Sequence, residues 1–334
     1  MIMNMENKKI KWGILGTGRI ATVFATALQV VENTELYAVG SRDKVKALQF
    51  ANEFNAPVSY GSYEELVRDP QIDIIYIATP HNLHLENTLL ALDNNKHVLC
   101  EKPMGVNQNE VKILMDKAAE KKLFLMEALW SRFLPNIIKT KELVESGVIG
   151  DVKMLTAYFA FKSDKGPDHR QFNVDLCGGT ILDIGIYNIF LSLLLLGKPT
   201  KVSAMADLNE QGVDASCSYL FGYENNALAV MYSSFMVDSP TIAEIHGTTG
   251  KIILEHKWFC PGKVRLIHSD GREDVFEFEM KGNGYEFEAI EVVDCISQGK
   301  IQSDIWSLND TLKLVEIMDE VRKESGIVYP KHDL

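Results

Sequence analysis

The chain has 334 residues, more than one hydrophobic core usually fills, so two domains are expected. Its 46% hydrophobic and 24% charged residues are ordinary for a globular protein, and a net charge of −12 argues against a nucleic-acid partner, whose phosphate backbone needs a basic face. The five cysteines (Cys100, Cys177, Cys217, Cys260, Cys295) are scattered without a CxxC, which fits a reducing compartment, and Met1 to Lys11 lacks the apolar core of a signal peptide; the cytoplasm is the expected location.

Lys9 to Leu15 is a short apolar run ending in the turn Gly16-Thr17-Gly18-Arg19-Ile20-Ala21, and Arg19 to Val31 then carries apolar residues at helical spacing. Strand and helix alternate from there. Glu35 to Gly40, Ile72 to Ala78, Lys96 to Cys100 and Leu123 to Met126 read as strands. Asp43 to Phe54, Tyr63 to Arg68, His84 to Asp93 and Asn107 to Lys121 read as helices, with Asp43 as an N-cap and Ser62 with Glu65 as a capping box. This alternation predicts a doubly wound parallel sheet of Rossmann type over residues 1–126. After Glu127 the pattern changes. A helix (Pro135 to Ser146), a strand (Val152 to Lys162) and a polar, irregular loop (Asp164 to Cys177) precede a helix running from Gly178-Gly179 to Leu196. Its apolar stretch Ile189 to Leu196 is too short to span a bilayer and reads as buried. Lys201 to Met280 reads as strands joined by tight turns, hence a mostly antiparallel sheet, and Tyr285 to Gln298 and Ser307 to Glu324 are closing helices. Residues 127–334 are therefore expected to form an α+β substrate and dimerisation domain, with the helix 307–324 free to pack back on the first.

The glycine turn is the first chemical signal. Gly16 permits the tight turn, Gly18 permits close approach of a pyrophosphate, and Ala21 lets the helix pack on the strand. The free amides of Thr17, Arg19 and Ile20 at a helix N-terminus suit a dinucleotide. NAD selection normally needs an acidic residue at the end of the second strand, and this chain has Gly40-Ser41-Arg42 there. A hydroxyl and a guanidinium suit a 2′-phosphate, so NADP is the expected cofactor; Arg42 as a merely solvated residue, and Asp43 as a ribose ligand, remain open.

Glu101-Lys102-Pro103 follows a strand at the sheet edge where ligands of such folds bind, and Pro103 restricts the backbone of Lys102. Asp183 and Tyr187, four apart, share a helix face. A phenol titrates near 10, and a nearby ammonium would bring it toward a useful range. Tyr187 is therefore the candidate acid/base, Lys102 the group that tunes it and orients a substrate hydroxyl, and Asp183 a holder of Lys102 or of a second hydroxyl. A core tyrosine is the plainer alternative. Thr79-Pro80-His81-Asn82-Leu83-His84 follows another strand and is expected to line the cofactor with Glu101; its His-x-x-His has no further ligand to complete a metal site, and none is expected. Trp130 and Arg132 are placed to wall or clamp a substrate, or only to fix a domain angle.

On these residues the chain resembles the glucose–fructose oxidoreductase / inositol dehydrogenase (Gfo/Idh/MocA) family. The carrying segments are Trp12-Gly-Ile-Leu-Gly-Thr-Gly-Arg-Ile-Ala21, Ala78-Thr-Pro-His-Asn-Leu-His84, Cys100-Glu-Lys-Pro-Met104 and Gly178-Gly-Thr-Ile-Leu-Asp-Ile-Gly-Ile-Tyr187. Leu99 to Val106 and Met126 to Phe133 look closest to the dimeric dihydrodiol dehydrogenases, which also act as NADP-dependent D-xylose dehydrogenases. The resemblance implies a Rossmann domain, a second domain with an open sheet, homodimers through that sheet, and catalytic roles for Lys102 and Tyr187. It also implies an NADP-dependent oxidoreductase of a sugar or cyclic diol. Sugar and inositol dehydrogenases of the family often have His where this chain has Tyr187, which makes inositol chemistry a poorer fit. An inositol or sugar-phosphate dehydrogenase and a non-catalytic NADP-sensing protein are the alternatives.

Overall fold

The computed structural model describes residues 9–333; residues 1–8, most of the stretch examined for a signal peptide, lie outside it. The chain divides into two compact units. Unit 1 comprises the residues up to Met104, Asn109–Trp130 and Lys281–Thr311; unit 2 comprises Gly105–Gln108, Ser131–Met280 and the chain from Leu312 onward.

Unit 1 alternates β1 (Ile10–Leu15), α1 (Arg19–Leu28), β2 (Thr34–Gly40), α2 (Lys44–Phe54), β3 (Val58–Tyr60), α3 (Tyr63–Arg68), β4 (Ile74–Ile77), α4 (His84–Asp93), β5 (His97–Glu101), α5 (Gln108–Lys121) and β6 (Leu125–Ala128). The strands form one parallel sheet in the order β3-β2-β1-β4-β5-β6. All four residues of β4 are buried, as a central parallel strand covered on both faces requires. The order reverses direction between β1 and β4, so their carboxyl ends flank the crevice where ligands of open α/β sheets bind.

In unit 2, α6 (Pro135–Glu145) leads to β7 (Val152–Ala160), a π-wound turn (Ile181–Gly185) and α7 (Ile186–Leu196), then β8 (Lys201–Leu208), β9 (Asp214–Gly222), β10 (Leu228–Ser234), β11 (Ala243–Gly247), β12 (Gly250–Leu254), β13 (Val264–His268) and β14 (Glu273–Phe276). The eight strands lie in the order β14-β13-β12-β11-β7-β10-β9-β8. Neighbours are antiparallel except β7 and β10. After β7 the chain crosses through α7 and re-enters at the far edge, so the hairpin-linked β8, β9 and β10 zip back until β10 lies beside β7 in the same direction. One face of the sheet, with Leu155, Ala157, Cys217, Tyr219, Phe221, Ala229 and Met231, is buried. The segment Val174–Leu196 has the length and hydropathy of a membrane span, yet 78% of its most apolar window is buried in the fold, as a core helix should be.

Lys281–Thr311 returns to unit 1 with α8 (Glu286–Ser297) and the start of α9 (Leu308–Ser325). Two backbone groups hold it there: Asn283 Nδ2 donates to the Val23 carbonyl at 2.9 Å, and the Leu125 N–H to the Ile301 carbonyl at 3.1 Å. All five cysteines are free thiols.

Candidate active site

In unit 1, the sequence-marked residues follow the strand ends. Gly16 has φ +109°, and a Cβ there would lie 2.8 Å from the Ala78 carbonyl oxygen, so only glycine passes between the ends of β1 and β4. At Gly18, φ is −79° and a Cβ would meet no atom within 4 Å. That open space faces the N-terminus of α1, whose first turn carries no side-chain cap. Thr17, Gly18, Arg19 and Ile20 thus form a cradle of the kind a pyrophosphate fills.

At the end of β2, Ser41 is buried and its hydroxyl accepts the Asp43 N–H at 3.2 Å, while Arg42 is exposed. Asp43, considered above as a ribose ligand, is committed elsewhere: its Oδ1 accepts the amides of Val45 at 3.0 Å and Lys46 at 3.2 Å and caps α2.

Past β4 come Thr79, Pro80 and His81. The Thr79 hydroxyl accepts Asn87 Nδ2 at 3.2 Å, and His81 lies edge-on to His84 with 5.7 Å between ring centroids. His84, expected to line the cofactor, is fully buried, with Nδ1 2.7 Å from the Pro103 carbonyl and Nε2 2.9 Å from the Thr79 carbonyl. Both nitrogens are consumed in tying two loops together. Burial lowers its pKa, and the two carbonyls, which favour the protonated ring, oppose that shift.

Glu101, at the end of β5, is buried; one carboxyl oxygen accepts the Tyr76 hydroxyl and the other the Lys102 N–H at 3.2 Å. Burial and the Glu101 charge hold the Tyr76 phenol well above its ordinary pKa, so it stays a donor. Glu288 of α8 is fully buried and its carboxyl is likewise pushed well up, by burial and then by Glu101. The Lys102–Pro103 peptide is cis. Trp130 stacks flat on Tyr285, with centroids 4.2 Å apart and planes at 9°, so protein covers one face of the indole.

In unit 2, a second cluster gathers at the start of the helix bearing Asp183 and Tyr187. Gly179 has φ +111°, and a Cβ there would overlap Asp214 Oδ1. Asp214, at the head of β9, is fully buried; its Oδ2 accepts the Thr180 hydroxyl at 2.6 Å and the Ile181 N–H at 2.8 Å, capping the helix from a neighbouring strand. Burial pushes its pKa up to about 6 against these donors. The Tyr329 hydroxyl donates to the Gly178 carbonyl at 2.5 Å and Ser233 Oγ to Thr180 Oγ1 at 2.9 Å. The first turn is π-wound, a feature often found at functional sites. Asp183 sits in that turn and Tyr187 in the first turn of α7, and both are buried.

Arg170, from the irregular loop, brings Nη2 to 3.4 Å from Asp183 Oδ2. The Tyr187 ring packs on Phe259 and Phe159, at centroid distances of 5.2 Å and 5.7 Å, and those two rings stack at 3.9 Å. The loop carrying Phe259 is pinned at its backbone: Ser131 Oγ donates to the Phe259 carbonyl at 2.6 Å, and Asn136 Nδ2 to the Cys260 carbonyl at 3.0 Å. Arg132, beside Ser131, is buried. Among the described residues no group of His, Cys, Asp and Glu is arranged to hold a metal ion.

Sequence reading missed Glu127, Asp214, Phe159 and Phe259. The last three carry no signal, since their partners are distant in the chain. Glu127 carries one: it is an acid inside the apolar run Phe124 to Trp130. It is fully buried and accepts hydrogen bonds from Met104, Trp306 and Thr311.

Residues 10–129 match the model of an oxidoreductase family with an NAD-binding Rossmann fold, and residues 137–253 match the GFO/IDH/MocA C-terminal domain. The trans-1,2-dihydrobenzene-1,2-diol dehydrogenase of Xenopus tropicalis is 37% identical over 332 residues, covering 96% of this chain and 99% of its own. The human enzyme of that name is 33% identical, covering 96% of this chain and 98% of its own. Among solved structures, KijD10, a 3-ketoreductase from Actinomadura kijaniata in complex with NADP and TDP-benzene, superposes with a TM-score of 0.86 at 24% identity, over 95% of this chain and 98% of that one. With these matches over both units, the chain belongs to the GFO/IDH/MocA family and is an NAD(P)-dependent dehydrogenase acting on CH–OH groups.

Proposed function

We propose that the protein is an NADP-dependent dehydrogenase of cyclic trans-diols, with aldoses as the second substrate class. The observation that carries this reading is the pairing of Asp183 and Tyr187 on one helix start with the stacked rings of Phe159 and Phe259. A carboxylate and a phenol serve two hydroxyls, and the aromatic pair offers a flat, dry wall to a ring. Trans-dihydrodiol dehydrogenases at 33–37% identity support the same substrate class.

Ser41 and Arg42 would hold the 2′-phosphate, and NADP is favoured because Asp43, the one acid near the end of β2, is spent on capping α2. The bound nicotinamide supplies the hydride acceptor. Lys102 holds the alcohol oxygen, Asp183 accepts the neighbouring hydroxyl, and Tyr187 takes the hydroxyl proton. The carbon gives up its hydrogen with the electron pair, the O–H proton goes to Tyr187, and a C=O bond forms. Trp130 and Arg132 border the substrate.

A second copy of the chain is the proposed partner of the outer sheet face. Met154, Leu220, Leu228 and Val230 are exposed there on paired strands, and Met205 is 80% exposed. Sedimentation as a dimer, reduced to a monomer by Val230→Lys, is the expected result.

The direct test is NADPH formation from NADP with trans-dihydrodiols, aldoses and inositols, with NAD in parallel. Tyr187→Phe and Lys102→Met are each expected to lose ~10²–10⁴-fold in kcat while keeping NADP affinity. Turnover near wild type in either variant defeats the assigned roles.

A further inference from the structure

Lys102 and Pro103 lie just beyond the end of β5, whose ladder to β6 stops at Glu101. Three buried side chains hold the backbone there. Glu101 accepts the Lys102 N–H at 3.2 Å, His84 contacts the Pro103 carbonyl at 2.7 Å, and Glu127 Oε1 accepts the Met104 N–H at 3.0 Å. Pro103 has no N–H, so the Met104 amide is the first donor the loop offers after Lys102.

Glu127 differs from the other two. It lies in β6 opposite Cys100 of β5, and its side chain is fully buried. Its second oxygen, Oε2, accepts the indole N–H of Trp306 at 3.2 Å and the hydroxyl of Thr311 at 3.0 Å. All three donate to it here: the Met104 amide and the Trp306 indole N–H can only donate, and the Thr311 hydroxyl is the one partner that could also accept. Burial pushes the Glu127 carboxyl above its ordinary range; the three donors and the charge of Lys102 pull the other way. An isolated buried carboxylate costs several kcal/mol, and a fold keeps one where its hydrogen bonds and a nearby cation offset that cost.

We propose that Glu127 is the positioning residue for Lys102: it fixes the loop through the Met104 amide, is itself fixed by Trp306 and Thr311, and sets a buried negative charge within range of the Lys102 ammonium. This rests on the catalytic role proposed for Lys102. It extends that role to a fully buried residue of β6, and to the segment Lys281–Thr311 that returns to unit 1.

The test compares Glu127→Gln, Trp306→Phe and Thr311→Val with wild type and Lys102→Met, using trans-1,2-dihydrobenzene-1,2-diol carrying deuterium at its carbinol carbons. Glutamine keeps one acceptor for Met104 but removes the charge and turns a donor toward Trp306 and Thr311. Glu127→Gln is expected to lower kcat 10- to 100-fold, leave NADP affinity within about threefold, and raise the deuterium isotope effect on kcat, because a misplaced Lys102 slows the hydride step itself. Trp306→Phe and Thr311→Val are expected to show the same rise with losses of two- to fivefold. A variant that is merely less folded loses active protein in proportion and leaves the isotope effect and KM unchanged; that result overturns the proposal. If Glu127→Gln does not fold, the isotope effects of Trp306→Phe and Thr311→Val decide: a rise supports the proposal and no change overturns it. Full turnover in Lys102→Met would strike down the catalytic reading instead, whereas an inactive Lys102→Met beside a wild-type Glu127→Gln rejects Glu127 alone.

Discussion

The two clusters, one in each unit, are held by opposite means. In unit 1, Lys102 stands on a loop past a strand end, and side chains from three separate elements (Glu101, His84 and Glu127) meet its backbone groups one by one. In unit 2, Tyr187 stands on a helix whose own ladder carries it, and a single carboxylate, Asp214, secures the start. A loop leaves every buried N–H and C=O to be satisfied from outside, while a helix leaves only its ends. The Lys102 loop is therefore held point by point along its backbone, whereas the Tyr187 helix needs outside support only where it begins, from Asp214, Tyr329 and Ser233.

That contrast is most severely tested at Gly179. Alanine there must adopt φ +111° and overlap Asp214 Oδ1, the atom beside the cap itself. The expected loss is about 3–5 kcal/mol, from left-handed strain together with a disrupted buried carboxylate. His84→Ala is expected to cost about 2–4 kcal/mol, because it leaves the Thr79 and Pro103 carbonyls buried without their partner. His84→Gln should recover part of this, since one amide can still reach one carbonyl. Urea unfolding ranks the three variants, and a His84→Ala loss exceeding that of Gly179→Ala would reverse the contrast.

The next effect is pH-dependent. Asp214 titrates near 6 in the fold against an ordinary 3.8, the shift arising from burial, with Tyr329, Tyr219 and Cys217 as its titratable neighbours. The folded pKa is raised, so the folded state binds the proton more tightly. The resulting stabilisation is complete below about pH 4 and is lost as pH rises through about 6. A shift of this size corresponds to about 3 kcal/mol at most. Subtracting the stability–pH curve of Asp214→Asn from that of wild type should isolate a slope between those two values. A flat difference curve would show that the carboxylate is relieved by more than Thr180 and Ile181.

Much of unit 1 is legible in the sequence because its signals are local. The nearly all-apolar run at Ile72 to Ala78 announces a covered parallel strand, Asp43 caps α2, and Gly16 occupies a turn no other residue could take. Ser62 also caps as expected, although Glu65 reaches back to the Gly61 N–H rather than to that of Ser62. The three-residue β3 is too short to show a period. What stayed hidden is non-local. The parallel pairing of β7 with β10 depends on a crossover through α7, and nothing in either strand announces its partner. Glu127 meets Trp306 across 179 positions of sequence, so its role follows from the return of Lys281–Thr311 and not from any motif. Asp183 and Tyr187 could be singled out because their spacing is local, whereas a residue such as Asp214, which caps their helix from a distant strand, gave no signal.

The smallest effect belongs to the one support that comes from the surface. Arg170 reaches Asp183 from the loop after β7, at 3.4 Å, with its side chain 46% exposed. Solvent and salt screen such a pair, so it contributes under about 1 kcal/mol, unlike the buried clamps in each unit. Its position still matters, because the same carboxylate is proposed to receive a substrate hydroxyl. A substrate would therefore meet the guanidinium beside its acceptor. Arg170→Gln is expected to change KM for a diol by two- to fivefold and leave stability within about 0.5 kcal/mol of wild type. The difference in KM should shrink as ionic strength rises toward 1 M, where the Debye length falls to about 3 Å. A difference that persists at high salt would mean that Arg170 acts by shape or by a hydrogen bond of its own. The loop would then join the buried clamps as a fixed part of the site rather than a screened contact at its margin.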